Sequence, residues 1–272
     1  MEMIDLSRLE PQETLSHTSK GNQLKWKCYG YWYKADHMGY EGLAETIVSA
    51  LLGKSTVKYP FVAYEYSQIK YKDRVYSGCK SADFLADGYD LIPLEKLYRK
   101  FTGGSLAVDT AHQGEITDQI KFLVNFVEQT TGLQEFGRYL TSMLEIDAFF
   151  LNEDRHTNNI AVQYNAADDT YALCPLFDNG LSLLADTNMD FPLERSLEDC
   201  LKTVEAKPFS RYFDEQLDAA EELYGIQLHF NFSTNDVKAL IDSYRTAYSQ
   251  EICDRCEALI RRQMRHYGYL VK

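Results

Sequence analysis

The most polar run in the sequence is Asn152-Glu153-Asp154-Arg155-His156-Thr157-Asn158-Asn159. It follows the apolar helix end Ala148-Phe149-Phe150-Leu151 and precedes an alternating segment with Ile160, Val162 and Tyr164. Such a loop can be a plain helix C-cap and turn, where Asn and Asp are common. The residues downstream make it a candidate for chemistry. The turn-like Asn165-Ala166-Ala167-Asp168-Asp169 leads into the apolar run from Tyr171 to Phe177, so the pattern predicts a hairpin. Leu176-Phe177-Asp178-Asn179-Gly180 then places a carboxylate directly after the returning strand. A hairpin returns its second strand beside its first, which brings Asp178 near Asp154 and Asn159. Two carboxylates and an amide suit a hard cation such as Mg²⁺, which prefers oxygen ligands and uses few protein groups. Phosphoryl transfer needs that metal, a carboxylate to align the attacking hydroxyl, and a cation on the phosphates.

The cation is expected from the β-rich first third. Leu24 to Lys34 is aromatic and interrupted by Gly30, which predicts two strands joined by a tight turn, with Lys34 ending the second. A helix is predicted from Tyr40 to Leu52, with Gly53 as its C′ residue. At 100° per residue, Leu43, Ile47, Ala50 and Leu51 share one side, and Glu41, Glu45, Val48 and Leu52 another. A carboxylate pair on a stripe with Val48 and Leu52 is half-buried and can hold a strand lysine by an ion pair, Glu45 ahead of Glu41. On a solvated face the same i, i+4 pair would be mildly repulsive. Before the strands, the hydroxyl-rich stretch Ser16 to Gln23 contains Gly21, and its backbone N–H groups can cradle phosphates.

These pieces need an architecture that brings them together. Phe61 to Gln68 and Arg74 to Cys79 read as two more strands around a Lys70–Asp73 turn. The remainder is mostly helical. Ile116, Ile120, Leu123, Val124 and Val127 repeat at helical spacing, as do Phe136, Leu140, Met143 and Leu144. Ser233 and Asp236 resemble a capping box before Val237, Leu240, Ile241 and Tyr244, and a last helix is predicted from Gln250 to about Arg265. The expected layout is α+β and bilobal: a small β-rich lobe over residues 1–85 and a larger helical lobe over 86–272, with a ligand cleft between them.

Composition excludes other classes. The 272 residues are 45% hydrophobic and 25% charged, as in a globular protein. The net charge of −13 argues against duplex nucleic acid or an anionic membrane surface as the partner. No apolar stretch approaches the ~20 residues of a membrane span. Of six cysteines, only Cys253 and Cys256 form a C-x-x-C, with no second pair at zinc spacing, so helical thiols are expected. His17, His37, His112, His229 and His266 show no ligand spacing to His156. The N-terminal Met-Glu-Met-Ile-Asp has no basic and apolar regions of a signal peptide, so a cytoplasmic protein is expected.

Asp154-x-His156-x-x-Asn159, a hairpin, then Pro175-x-Phe177-Asp178 resembles the HipA-like serine/threonine kinases. Gly78 to Leu85, and Lys34 followed by Glu41 and Glu45, fit that family's N-lobe more loosely. The resemblance implies a bilobal protein-kinase-like fold using ATP and Mg²⁺. It implies Asp154 as catalytic base, Asn159 and Asp178 as metal ligands, and Lys34, oriented by Glu45, on the ATP phosphates. It places adenine at the backbone around Cys79 to Ala82, so that Cys79 and Ser81 join Ser19, Gly21, Asn22 and His156 as nucleotide contacts. Known members phosphorylate proteins, some of them aminoacyl-tRNA synthetases, as toxins paired with a DNA-binding antitoxin. A protein substrate and an antitoxin-like partner are therefore implied. The length fits short members without the extra N-terminal subdomain. The resemblance also implies an inhibitory autophosphorylation in the Ser16–Gln23 loop, with Ser16, Thr18 and Ser19 as candidates.

Two other readings use the same residues. Asp154-Arg155-His156-x-x-Asn159 also resembles the catalytic loop of phosphoinositide kinases. Their polyanionic headgroups need basic side chains after the metal aspartate, whereas Leu181 to Cys200 holds Asp186, Asp190, Glu194, Glu198 and Asp199 against Arg195 alone. The other is a catalytically weak nucleotide-binding interaction module, which an ATPase assay with and without Mg²⁺ separates from an enzyme.

Overall fold

A computed structural model describes residues 3–12 and 23–272. Five strands form the N-terminal sheet: β1 (Met3–Asp5), β2 (Lys25–Cys28), β3 (Tyr31–Ala35), β4 (Tyr64–Tyr71) and β5 (Arg74–Ala82), in the order β1-β4-β5-β3-β2. Only β1 is parallel to its neighbour, β4; the other pairings are antiparallel. The helix α1 (Glu41–Leu52) lies between β3 and β4 in the chain. A three-stranded sheet of β6 (Tyr89–Pro93), β7 (Ala161–Asn165) and β8 (Thr170–Leu173) follows, with β7 in the middle. The helical part contains α2 (Leu94–Thr102), α3 (Leu106–Ala111), α4 (Ile116–Thr131), α5 (Phe136–Phe150), α6 (Leu197–Leu201), α7 (Phe213–Tyr224), α8 (Thr234–Asp242) and α9 (Gln250–His266).

The expected elements are present with shifted ends. The Ser233–Asp236 capping box starts α8, and Cys253 and Cys256 are buried free thiols in α9. Gly53 departs from expectation: its φ of −60° is right-handed, so α1 ends without the left-handed C′ turn that Gly132 provides for α4. The β6 strand and its pairing with β7 were not foreseen. The expected lobe boundary at 85/86 lies in the connector between Ala82 and Tyr89.

The α1 helix is buried on nearly every side rather than along one stripe; of its twelve residues only Ala50 is not buried. Leu43, Ile47, Val48 and Leu51 pack into the same core as Phe149, Phe150, Leu183 and Phe230 of the helical lobe. Its other side lies against the sheet so closely that a Cβ on Gly42 would sit 2.5 Å from the carbonyl carbon of Gly78 in β5. Gly78 in turn admits no Cβ, because the Lys34 carbonyl oxygen occupies that space at 2.1 Å. These two glycines set the distance between α1 and the strands beside it.

Three further links join the lobes. At the Phe61–Leu176 bridge, Val62 N–H donates to Leu176 O at 2.9 Å and Leu176 N–H donates to Pro60 O at 2.8 Å. The α1 N-terminus is tied to the stretch after Asp178: the Tyr40 hydroxyl donates to Leu183 O at 2.6 Å, and Tyr40 N–H to Ala185 O at 3.2 Å. Gly39 also bridges Asp186.

Gly42→Ala separates two effects of opposite sign. Helix propensity favours alanine by about 0.8–1 kcal/mol. Overpacking against rigid backbone costs about 1–3 kcal/mol. Contact with Gly78 decides, so urea denaturation should show Gly42→Ala to be less stable than wild type; equal or higher stability would refute the close-approach argument.

Candidate functional site

The period of two along a strand puts Lys25, Lys27, Trp32 and Lys34 on one face of the β2–β3 hairpin and Trp26, Tyr33 and Ala35 on the other. The second set packs with Leu6 and Ile69 and fixes the register. Lys34 therefore points toward α1. Its Nζ lies 2.5 Å from Glu45 Oε1 and 2.9 Å from Asp178 Oδ1, over the Tyr64 ring at 5.0 Å from the centroid. Burial works against the ammonium, but Asp178 and Glu45 outweigh it and hold the Lys34 pKa well above that of a free lysine.

Glu45 is the partner, and Glu41 has a different role. Glu45 binds Lys34 through one oxygen and accepts the Asn179 N–H through the other at 2.9 Å. Glu41, one turn earlier, accepts from the backbone N–H groups of His37, Met38 and Gly39, with Met38 at 2.6 Å. It caps the chain entering its own helix.

The polar run of the sequence is the loop between α5 and β7. Leu151, at φ +57°, ends α5 in the left-handed conformation. Arg155 organises the loop beyond it. The side chain is buried, donates from Nε and Nη2 to Asp147 at 2.8 and 3.0 Å, and reaches Asn179 Oδ1 at 3.1 Å. Its Nη1 donates to the carbonyls of Phe177 at 3.0 Å and Asn159 at 3.2 Å. One guanidinium thus sets the loop against the Asp178 segment, a task that uses its planar fork. From β6 and α2, Leu94 N–H donates to Ile160 O, and Glu95 accepts the Thr157 hydroxyl at 3.0 Å.

Asp154, Asn159 and Asp178 come together as the hairpin predicted. The Asn159 amide donates to Asp154 Oδ2 at 3.0 Å and to Asp154 O at 2.8 Å. His156 Nε2 lies 3.6 Å from Asp154 Oδ1, and Lys207 Nζ lies 3.9 Å from the same oxygen. Burial raises the Asp154 pKa, the Asp178 charge pushes it the same way, and His156 and Lys207 pull it down. Burial also opposes ionisation of Asp178, yet Lys34 and Lys25 overcome it and hold that carboxyl well below the usual aspartate range. Asp178 has φ +63°, which Asp tolerates better than most residues.

Cys79 and Ser81 sit differently from expectation. Both lie in β5, which is flanked by β3 and β4, opposite Lys34 and Trp32 on one side and Tyr66 and Tyr64 on the other. A strand paired on both sides has its backbone groups committed to the sheet. Cys79 contributes its side chain instead, in an apolar cluster with Val62 and Tyr64 against Phe84 and Phe177; burial pushes its thiol pKa up. Ser16, Thr18, Ser19, Gly21 and Asn22 lie outside the described residues.

Lys25 was missed by the sequence reading. It stands directly opposite Lys34 in the β2–β3 register and is one of the strongest charges felt by Asp178. Like charges directly opposite each other are unfavourable unless an anion answers them, so the register of this hairpin was the available signal. A further group of carboxylates, Glu153, Asp186 and Asp190, has oxygens within 4.8 Å of one another beside the loop.

A strand lysine paired to a helix glutamate, a connector, and a helical lobe bearing the polar loop and the aspartate after a hairpin make up a bilobal kinase-like fold. The chain superposes on the crystal structure of a Helicobacter pylori proinflammatory kinase, CtkA, with a TM-score of 0.63 over 97% of this chain and 95% of that one. The two are 15% identical, so the likeness is one of fold. Neither a family model nor a curated protein sequence matches the chain.

Arg155→Met leaves Asp147 buried and uncompensated. Breaking a buried pair from one side costs about 3–5 kcal/mol. Chemical denaturation should show that loss, and Asp147→Asn combined with Arg155→Met should recover part of it. Strict additivity of the two single changes would contradict the direct coupling.

Proposed function

We propose that this chain is an ATP- and Mg²⁺-dependent protein kinase that phosphorylates serine or threonine hydroxyls, of the HipA-like type its motifs resemble. The observation that carries the reading is the Lys34 ammonium held between Glu45 and Asp178, with Asp154 and Asn159 on the adjoining loop. The likeness in fold to a proinflammatory kinase supports it.

The residues present fit the metal. Both amide protons of Asn159 are directed to Asp154, which leaves its carbonyl oxygen as the outward group. That oxygen and the ionised Asp178 carboxylate are hard donors of the kind Mg²⁺ takes. Bound there, Mg²⁺ would supply charge neutralisation on the β- and γ-phosphates.

The chain's own groups do the remaining work. Lys34 and Lys25 hold phosphate oxygens, with Glu45 orienting Lys34. The apolar cluster of Val62, Cys79, Phe84 and Phe177 receives the base, and the connector after Ala82 provides the backbone edge that β5 cannot. Asp154 accepts the proton of the attacking hydroxyl. The carboxylates of Glu153, Asp186 and Asp190 beside the loop would repel an inositol phosphate, which favours a protein acceptor over a lipid headgroup.

Incubation with labelled ATP and Mg²⁺, alone and with a cell extract, tests the reading; absence of any labelled protein would refute it. Asp154→Asn should lower transfer by about 10²–10⁴-fold while the nucleotide still binds. Asp178→Asn should instead weaken Mg²⁺-dependent nucleotide binding, read by calorimetry with a non-hydrolysable analogue. The pH dependence has a definite sign. Asp154 works ionised and its pKa is raised, so kcat/KM should fall with acid at a pH above the ordinary aspartate value of about 3.9.

A further inference from the structure

We propose that Lys207 is a further catalytic cation, which grips the transferring phosphoryl group from the acceptor side, and that the cavity it lines receives the hydroxyl-bearing side chain of the protein acceptor. This rests on the kinase reading above.

Lys207 lies between α6 and α7, far in sequence from the loop of Asp154, yet its Nζ is 3.9 Å from Asp154 Oδ1. The side chain is 44% exposed. A pair that long and that exposed adds little to stability, so holding the fold does not account for its position. Among the described residues Lys207 makes no other ion pair. The neighbouring cations are engaged: Arg211 is paired with Glu205 at 2.6 Å, and Arg195 donates to the Asp199 carbonyl at 2.9 Å.

The geometry around Asp154 leaves one side for a reactant. Oδ2 takes the Asn159 amide, whereas Oδ1 is bracketed by His156 Nε2 at 3.6 Å and Lys207 Nζ at 3.9 Å, both beyond hydrogen-bond length. Lys207 also lines a cavity of about 280 Å³ with Glu153, Asp190, Phe191, Arg195 and Glu205. A side chain entering there meets Lys207, whose Nζ lies 3.9 Å from Asp154 Oδ1.

The cations divide between two poles. Lys34 and Lys25 are the strongest positive influences on Asp178, while Lys207 is the lysine beside Asp154. In the transfer, the acceptor oxygen attacks the γ-phosphorus and its proton passes to Asp154. The new O–P bond forms as the bond to the β,γ-bridging oxygen breaks, and ADP leaves with that electron pair. Negative charge on the three equatorial oxygens must be met throughout. Lys34 and Lys25 serve the nucleotide end, and Lys207 the acceptor end.

The test uses the full chain as wild type, Lys207→Met and Lys207→Arg, with Mg-ATP and dephosphorylated casein as acceptor. Lys207→Met should lower kcat by about 10²-fold, the usual cost of one charge-stabilising donor. KM for ATP, binding of a non-hydrolysable ATP analogue and the thermal midpoint should stay at wild-type values, and Lys207→Arg should restore most of the rate. A kcat within about threefold of wild type, or a raised KM for casein alone, would show that Lys207 only binds acceptor and would overturn the proposal. A lowered thermal midpoint without rescue by arginine would overturn it as well. If wild type binds Mg-ATP but transfers phosphate to neither casein nor itself, the kinase reading fails and the role of Lys207 with it. An active wild type with active Lys207→Met overturns the role alone.

Discussion

The buried ammonium of Lys34 is the interaction on which the rest of this structure depends. A lysine removed from water is costly unless opposite charges answer it. Here two do, and they come from different places: Glu45 from a helix of the first lobe, Asp178 from the end of a strand pair in the second. Each carboxylate is in turn fixed by the backbone. Glu45 takes the Asn179 N–H, and Asp178 sits in a left-handed turn beneath a carbonyl, that of Phe177, held by Arg155. The charge centre can form only if helix, strand and turn are all in register.

That requirement accounts for features otherwise hard to place. The Gly42–Gly78 contact brings α1 close enough to the sheet for Glu45 to reach β3. Burial of α1 by the core of the helical lobe keeps it there. Arg155 and Asp147 form a second dry charge centre one layer down, which positions the loop carrying Asp154 relative to Asp178. Between these two rigid centres, Asp154 Oδ1, His156 and Lys207 are more loosely arranged, with separations of 3.6 and 3.9 Å. The short contacts are those of the most buried charges, and the long separations those of the partly exposed side chains around Asp154.

Much of this was legible in the sequence, for physical reasons that differ by residue. The loop from Asn152 to Asn159 stood out by its density of polar side chains and by the carboxylate that the downstream hairpin returns to it. Asp178 was placed by hairpin geometry, a local rule. Glu45 and Glu41 lie one turn apart on the same face, so spacing could not divide their roles; only the path of the chain before α1 put three N–H groups around Glu41. Lys25 needed the cross-strand register, and β6 needed a partner some 70 residues away in sequence. That the Cys79–Ala82 backbone is paired on both sides was not legible, because one strand's pattern does not reveal whether it has two neighbours.

The ties between the lobes have a mechanical meaning. A body attached to another at a single connector can swing and twist freely; each added attachment removes a freedom. Here the connector is joined by the Phe61–Leu176 bridge and by the contacts of Gly39 and Tyr40 with Leu183, Ala185 and Asp186. The first pair of attachments acts like two hinges on one door and leaves rotation about a single line. The contacts at the α1 N-terminus are the latch. Parting the lobes then requires release of that latch together with the Lys34–Asp178 pair and the packing of α1 in the helical core, so the two lobes are held as one block.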